Sequence, residues 1–380
     1  MSTRRDFLSA GLLSSVAGLV PTRTAWAQGE SLSTKGLSYR TLGKTGLKVT
    51  SVGFGCMVTS DASVITRAAD LGINYFDTCR SYQHGNNERL VATGLQGKRQ
   101  NIVLSSKTDG TTKQAALAEL DTSLSELATD HLDIWYLHFK NNPTDLPDEL
   151  FEAQQTARQQ GKIRFAGVST HNSKDMVPFL VKKGATDVVL ATYNFTMEKA
   201  FSDAMAQAHA AGLGVVAMKV MAGGFRRSKP DDPNAAKLKR EGAMLAALKW
   251  TLKDAYVHTT IPGITDMDQL EENMKAMTEP YSSREERLLA RQLEFITPLY
   301  CRMCGECDGH CAKGLPVPDV LRYVMYADGY GQFELGRDHF KKLPVELAAV
   351  RCGDCPACTV HCRFGVKVPE RLRRAQEMFA

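Results

Sequence analysis

Two groups of residues in this 380-residue chain carry chemistry by type and spacing. The first is dispersed: Asp77, Tyr82, Lys107 and His138 each stand at or just past the end of a short, β-branched run. Together they suit proton transfer to a carbonyl oxygen. A free tyrosine, with a pKa of about 10, exchanges protons slowly at neutral pH. A neighbouring ammonium favours its phenolate form, and a carboxylate beyond the ammonium holds it in place. An imidazole positions the substrate oxygen or shares the proton. Singly, each residue has a plainer reading: Asp77 as a loop cap, Lys107 as a surface charge, His138 as a core histidine. Their order along successive strand ends is what argues for chemistry. The second group is compact. Cys301, Cys304, Cys307 and Cys311 form C-x2-C-x2-C-x3-C, and Cys352, Cys355, Cys358 and Cys362 repeat it at a constant offset of 51. Three close thiolates can wrap one corner of an iron–sulfur cubane, with a fourth taken from elsewhere.

The elements that must position the dispersed group alternate regularly. Strands are expected at Ser51–Met57, Asn74–Thr78, Asn101–Lys107, Leu132–His138, Ile163–Ser169, Asp187–Tyr193, Gly214–Met221 and His258–Ile264. Amphipathic stretches lie between them, at Ala62–Leu71, Lys113–Leu127, Leu146–Gln160, Lys174–Lys183, Lys199–Ala211 and Gly242–Ala255. Such alternation implies parallel strands with crossover helices. Eight units in this length fit a closed α/β (β/α)8 TIM barrel, whose chemistry gathers where strands end and loops begin. No G-x-G-x-x-G follows the first strand, which argues against a dinucleotide-binding open sheet. Tyr39 to Thr50 reads as a small hairpin before the barrel, and Ser282 to Thr297 as a helix outside it. The barrel domain is placed at residues 38–297.

At these motifs the sequence resembles the aldo-keto reductase family. Tyr39-Arg40-Thr41-Leu42-Gly43-Lys44 looks like the family's opening hairpin. Gly72-Ile73-Asn74-Tyr75-Phe76-Asp77-Thr78 with Ser81-Tyr82 matches its second-strand motif, and Ser105-Ser106-Lys107-Thr108 and Tyr136-Leu137-His138 match the next two. The resemblance implies a catalytic tetrad at Asp77, Tyr82, Lys107 and His138, with Tyr82 as general acid and a nicotinamide delivering hydride to the carbonyl carbon. The implied cofactor contacts are Ser169, Lys219, Gly223, Gly224 and Asn273, and the cofactor is NAD(P) with no preference assigned. Several family positions differ. Ser169-Thr170 stands for Ser-Asn, Leu190 for Gln, Met218 for a stacking aromatic, and Gly263, Ile264 and Gln269 for the residues that read a 2′-phosphate.

The cysteine spacing resembles that of bacterial dicluster ferredoxins, which bind two 4Fe–4S clusters. The duplication runs past the ligands: Gly314 maps to Gly365, Pro318 to Pro369, Asp319 to Glu370 and Arg322 to Arg373. Each half is a cysteine loop followed by a helix with Pro and an acid near its first turn, where both are favoured. The resemblance implies a cross-over, Cys301, Cys304 and Cys307 with Cys362, and Cys352, Cys355 and Cys358 with Cys311. Ala312 and Arg363 replace the usual proline after the fourth cysteine. Zinc is the competing metal, although its sites usually pair two C-x2-C units. Helical stretches near Val320–Ala327 and Phe333–Lys341 make residues 298–380 a mostly helical ferredoxin-like domain. Cys56 and Cys79 are expected as buried barrel thiols. His310 and His361 are expected to be exposed beside the clusters.

The chain opens with Arg4-Arg5, an apolar run from Ala10 to Val20, and Ala25-Trp26-Ala27, the layout of a twin-arginine signal peptide over residues 1–27. That route exports folded proteins, so a cubane assembled in the cytoplasm would escape the oxidising periplasm. The expected location is therefore periplasmic, with no membrane span, because the run is too short. The composition, 43% hydrophobic and 23% charged, excludes disorder. A formal net charge of +5 without a basic aromatic stripe excludes a nucleic-acid partner. The expected partners are a small carbonyl or alcohol substrate and a redox protein. The expected function is an exported oxidoreductase coupled to an iron–sulfur electron-transfer domain. The alternative is a redox-responsive ligand-binding module with little turnover.

Overall fold

A computed structural model describes residues 36–223, 237 and 241–380. Arg4, Arg5, the whole of residues 1–27 and Gly224 lie outside the described residues. The chain enters through an antiparallel hairpin, β1 (Tyr39–Thr41) with β2 (Lys48–Thr50), registered Tyr39 to Thr50. Eight strands follow: β3 (Phe54–Gly55), β4 (Tyr75–Asp77), β5 (Val103–Thr108), β6 (Leu132–Leu137), β7 (Ile163–Thr170), β8 (Val188–Thr192), β9 (Gly214–Met218) and β10 (Thr259–Thr260). Each pairs in parallel with its sequence neighbours. Bridges from Val52 to Thr260 and from Gly55 to Gly263 join the first strand to the last and close the barrel.

The crossovers are α1 (Ala62–Asp70), α2 (Asn86–Gly94), α3 (Lys113–Glu126), α4 (Asp148–Gln159), α5 (Ser173–Lys183), α6 (Lys199–Ala210) and α7 (Ala243–Leu252), with α8 (Met267–Lys275) and α9 (Ser283–Ile296) after the last strand. Every helix expected in the barrel is present within a few residues of its expected ends. The first and last strands are much shorter than expected. Asp61 caps α1 by accepting from Ser63 N, Thr112 caps α3, and Ser282 with Glu285 forms a capping box on α9, which satisfies amides a helix start leaves unpaired.

Two apolar layers hold the barrel. Strand residues such as Trp135, Val189 and Ala217 pack outward against the helices, while Tyr75, Val103, Ile134, Tyr136, Val188 and Val216 fill the lumen. Leu42 and Leu47 of the hairpin plug the lumen's N-terminal end. Gly43 makes that plug possible: its φ is +52° and a Cβ there would fall 2.4 Å from Gly214 N.

A third apolar cluster belongs to residues beyond α9. Helices α10 (Val317–Asp328), α11 (Phe333–Lys341), α12 (Val345–Ala348) and α13 (Val368–Phe379) form it together with Tyr300, Met303 and Val360. Buried Arg371 and exposed Arg374 clamp Asp328 between α13 and α10. This region and the barrel form one compact unit. The contact is close: a Cβ at Gly329, past α10, would lie 2.7 Å from Gly223 O, past β9. Asn194 donates to the Tyr300 hydroxyl at 3.0 Å. Among the described residues no helix is long and apolar enough to cross a membrane.

Candidate active site

The C-terminal ends of the strands open into a cavity of about 1110 Å³. Barrel loops form one wall, and α10 and α11 form the other. Asp77, Tyr82 and His138 all line it. Lys107 lies just beneath, 1% exposed, and donates to Asp77 Oδ2 at 2.5 Å and to Thr78 O at 2.6 Å. Asp77 Oδ1 accepts from Ser105 Oγ at 2.8 Å. The lysine ammonium sits 4.8 Å from the centre of the Tyr82 ring, and the Tyr82 and His138 rings meet edge-on at 6.1 Å. The structure therefore brings together all four residues that the strand-end pattern singles out.

Their electrostatics differ from the sequence expectation in one respect. Burial, then Cys79, Asp77, Tyr326 and Asp109, hold the Tyr82 phenol well above its usual value. Burial dominates here, although the Lys107 ammonium, bonded to Asp77 and Thr78, lies close to the ring. Tyr82 therefore stays protonated at neutral pH. His138 moves the other way. Burial pulls its pKa down, but Cys79 and Asp109 outweigh that and raise it to about 9. Its Nδ1 lies 2.6 Å from Asp109 Oδ1 and 3.5 Å from Cys79 Sγ. An imidazolium beside the phenol supplies the positive field that the sequence reading assigned to the lysine.

The loops that carry the site are strained in a telling pattern. Gln83, His84, Phe139 and Lys219 all have φ between 51° and 58° and all line the cavity. Left-handed residues other than glycine concentrate at functional sites, where surrounding packing over-determines them.

The expected cofactor contacts separate into three kinds. Lys219 lines the cavity, and burial followed by Arg322 lowers its pKa to about 7. Its ammonium lies 5.0 Å over the Tyr326 ring and 5.4 Å over the Tyr330 ring. Asn273 is fully buried, with both amide atoms lacking a partner. Ser169 is engaged elsewhere: its hydroxyl accepts from Phe139 N at 2.9 Å and shapes the loop after β6. Gly223 packs its carbonyl under Gly329, and Met218 lines the cavity. A cavity larger than the ~300–1,000 Å³ of ordinary small-molecule sites and an ammonium on its wall without an ion pair fit a dinucleotide; Asn273 is not among the residues lining that cavity. Gly263, Ile264 and Gln269 present no cation for a 2′-phosphate.

Cys56 and Cys79 are buried as expected, and all ten cysteines are free. The other eight fall into two spatial sets. Cys301 feels Cys307, Cys304 and Cys362, whereas Cys352 feels Cys311, Cys355 and Cys358. The fourth cysteine of each motif thus sits with the other motif's first three. Burial, then neighbouring thiols, raises Cys307 to about 11, and burial raises Cys301 to about 12. Among the described residues, no three of these sulfurs lie within 4.8 Å of one another. A single zinc, with Zn–S of about 2.3 Å, would need sulfurs about 3.8 Å apart. A cubane with iron at each corner accepts a wider set. His310 and His361 are exposed.

Three contributors to the cavity escape the sequence patterns. Asp109 pairs with His138, the His171 ring lies tilted 4.8 Å from the Phe139 ring, and the Arg322 guanidinium lies 3.9 Å from the centre of that same ring. Asp109 had a local signal, as an acid immediately past the strand that bears Lys107. Arg322 had none, because its place depends on how α10 docks.

A closed parallel barrel with a tyrosine, a buried lysine–aspartate pair and a histidine at its strand ends defines a (β/α)8 enzyme built for proton transfer. The chain belongs to the Aldo/keto reductase family, whose model matches residues 58–291. It is an oxidoreductase of that family. It is 28% identical to an L-galactose dehydrogenase of Arabidopsis thaliana, over 64% of this chain and 89% of that protein. It is 26% identical to an uncharacterized oxidoreductase of Bacillus subtilis, over 65% of this chain and 93% of that one. The solved holo form of an aldo-keto reductase from Bacillus halodurans aligns with TM-score 0.57 at 26% identity, covering 67% of this chain and 96% of that one. The family match ends before the cysteine motifs.

Proposed function

We propose that this protein is an exported reductase that interconverts a carbonyl and an alcohol and exchanges electrons through two 4Fe–4S clusters. The observation that carries the chemistry is the convergence of Tyr82, the Asp77–Lys107 pair and His138 on one cavity. A nicotinamide dinucleotide, when bound, would supply or accept the hydride, and Lys219 on the cavity wall would hold it. The chain's own residues handle the proton. Asp77 and Ser105 fix Lys107 below the phenol, so the ring has one position. Tyr82, kept protonated by burial, donates to the developing alkoxide. The His138 imidazolium, oriented by Asp109, stabilises the same oxygen by a charge-assisted hydrogen bond. Tyr82→Phe tests this assignment: the fold should persist and turnover should fall at least ~100-fold, whereas unchanged turnover would remove Tyr82 from the reaction.

For the clusters, the support is the exchange of fourth cysteines between the two motifs. The sets Cys301, Cys304, Cys307, Cys362 and Cys352, Cys355, Cys358, Cys311 each offer four thiolates, and the clusters when bound carry single electrons. Anoxic protein should contain about eight iron atoms per chain; zinc in their place would reject the reading. For export, the support is Arg4-Arg5 with the cleavage pattern at Ala25-Trp26-Ala27. Replacing Arg4 and Arg5 by Lys should strand a folded, iron-loaded precursor in the cytoplasm. Normal periplasmic delivery of that variant would contradict the route.

A further inference from the structure

The cavity wall carries four lysine or arginine side chains (Lys219, Arg322, Lys341 and Lys342) and four carboxylates, and the carboxylates are already engaged. Asp77 pairs with Lys107, Asp109 with His138, Asp338 with His84 and Glu334 with Arg337. No other carboxylate lines the cavity. Lys219 has no ion-pair partner among the described residues.

Two buried polar atoms in this wall have no hydrogen-bond partner: Arg322 Nε and His171 Nδ1. Both side chains belong to residues 4% exposed, and both line the cavity. Phe139 holds them near one another, since the Arg322 guanidinium lies 3.9 Å from its ring centre and the His171 ring 4.8 Å from it. Asp319, outside the cavity wall, takes one end of the guanidinium, Nη1, at 3.1 Å. That leaves Nε as an oriented, dry donor. A buried donor left unsatisfied is costly, and an oxyanion is the acceptor that satisfies a guanidinium best.

We infer that Arg322 and His171 form an oxyanion subsite for the substrate, so that the carbonyl compound turned over here bears a carboxylate or phosphate group. This inference rests on the reductase reading for its link to Tyr82. Arg322 comes from the C-terminal region and His171 from the end of β7, so the subsite exists only where the two regions meet. The mutual influence of the cations supports the assignment. Burial, then Lys219, Arg322 and His138, holds His171 well below its usual value. An anion among these groups relieves the field they impose on one another.

The test is calorimetric binding of succinate, oxamate and inorganic phosphate to the anoxic, iron-loaded full chain, with succinamide as the neutral control. At least one oxyanion should bind and succinamide should not. Arg322→Gln should weaken that binding about tenfold or more. His171→Phe, on the barrel side and remote from the cysteine loops, should weaken it independently of any effect of the first variant on iron content. NADPH and NADH binding to the same variants identifies the anion's source. If the variants lose dinucleotide rather than the small oxyanions, the subsite belongs to the cofactor diphosphate and the inference falls. It also falls if no oxyanion binds, or if neither variant changes the affinity. Because no turnover is required, oxyanion binding through Arg322 in a protein that reduces no carbonyl would sink the reductase reading and leave the subsite standing.

Discussion

The barrel and the C-terminal region solve the same problem, holding reactive groups in place, by opposite means. In the barrel, packing does it. Strands β5, β6 and β8 are buried along their whole length, and Lys107 and Asp77 are 1% and 2% exposed. In the C-terminal region only Cys301 and Cys307 among the eight ligand candidates are buried, and the cysteine loops carry little regular structure. There the helices build a small core, and on the cluster reading proposed above the loops would be held by metal. Protonated thiols, with Cys301 and Cys307 pushed up by burial, must lose their protons when metal binds, so metal loading and loop ordering are one equilibrium. On that reading one region is organised before its ligands arrive, and the other would be organised by them.

The sharpest way to break this comparison is at the buried ion pair. Asp77→Asn leaves the Lys107 ammonium buried without its counter-charge, which costs on the order of 3–5 kcal/mol. Thermal unfolding should register that loss in the barrel while anoxic iron content stays near its original value. A drop in iron with no loss of stability would mean the two regions have been assigned the wrong roles.

Next in size is the chemistry. The loss of at least ~100-fold expected for Tyr82→Phe should come without any change in cluster absorbance. The pH profile then distinguishes the two proton-bearing groups. His138 is raised to about 9 while Tyr82 lies well above 10. Both are therefore protonated at neutral pH, and His138 is the first to lose its proton as pH rises. Carbonyl reduction should decline above about pH 9, and His138→Gln should abolish that limb. A limb that survives the substitution would belong to another group.

The smallest expected effect concerns one cluster of two. Cys362→Ser should lower iron from about eight to about four atoms per chain and leave barrel unfolding unchanged. The lost spectrum should be that of the set containing Cys301. Loss of the Cys352 set instead would refute the cross-over.

Much of this was legible in the sequence, for identifiable reasons. All eight barrel strands follow from β-branched runs, and the tetrad follows from asking what stands at their ends. The β3 and β10 expectations ran long because their flanks, Val52 and Gly263 among them, make isolated closure bridges in place of continuous ladders. The two equal cysteine motifs were legible as a duplication at a constant offset, whereas the cross-over between them was only what the resemblance to dicluster ferredoxins implied. What escaped was set by tertiary approach. Phe139 adopts a left-handed backbone and offers its ring to Arg322 across some 180 positions of sequence, and no local period encodes that meeting. The Tyr82 electrostatics escaped similarly. Sequence order places a lysine near the phenol with a carboxylate beyond it, but only the structure shows that burial dominates the phenol and that Cys79 and Asp109 raise His138 beside it.

On the proposed function, barrel and clusters would form one redox unit. Anoxic protein can be reduced with dithionite, freed of excess reductant and mixed with NAD⁺ or NADP⁺ while cluster absorbance and dinucleotide fluorescence are followed. Two singly reduced clusters hold the electron pair that one hydride requires. Cluster colour should return as about one reduced dinucleotide forms per chain, two cluster electrons and one proton making each hydride. Clusters that stay reduced beside both dinucleotides, in protein that still reduces carbonyls with NAD(P)H, would contradict it.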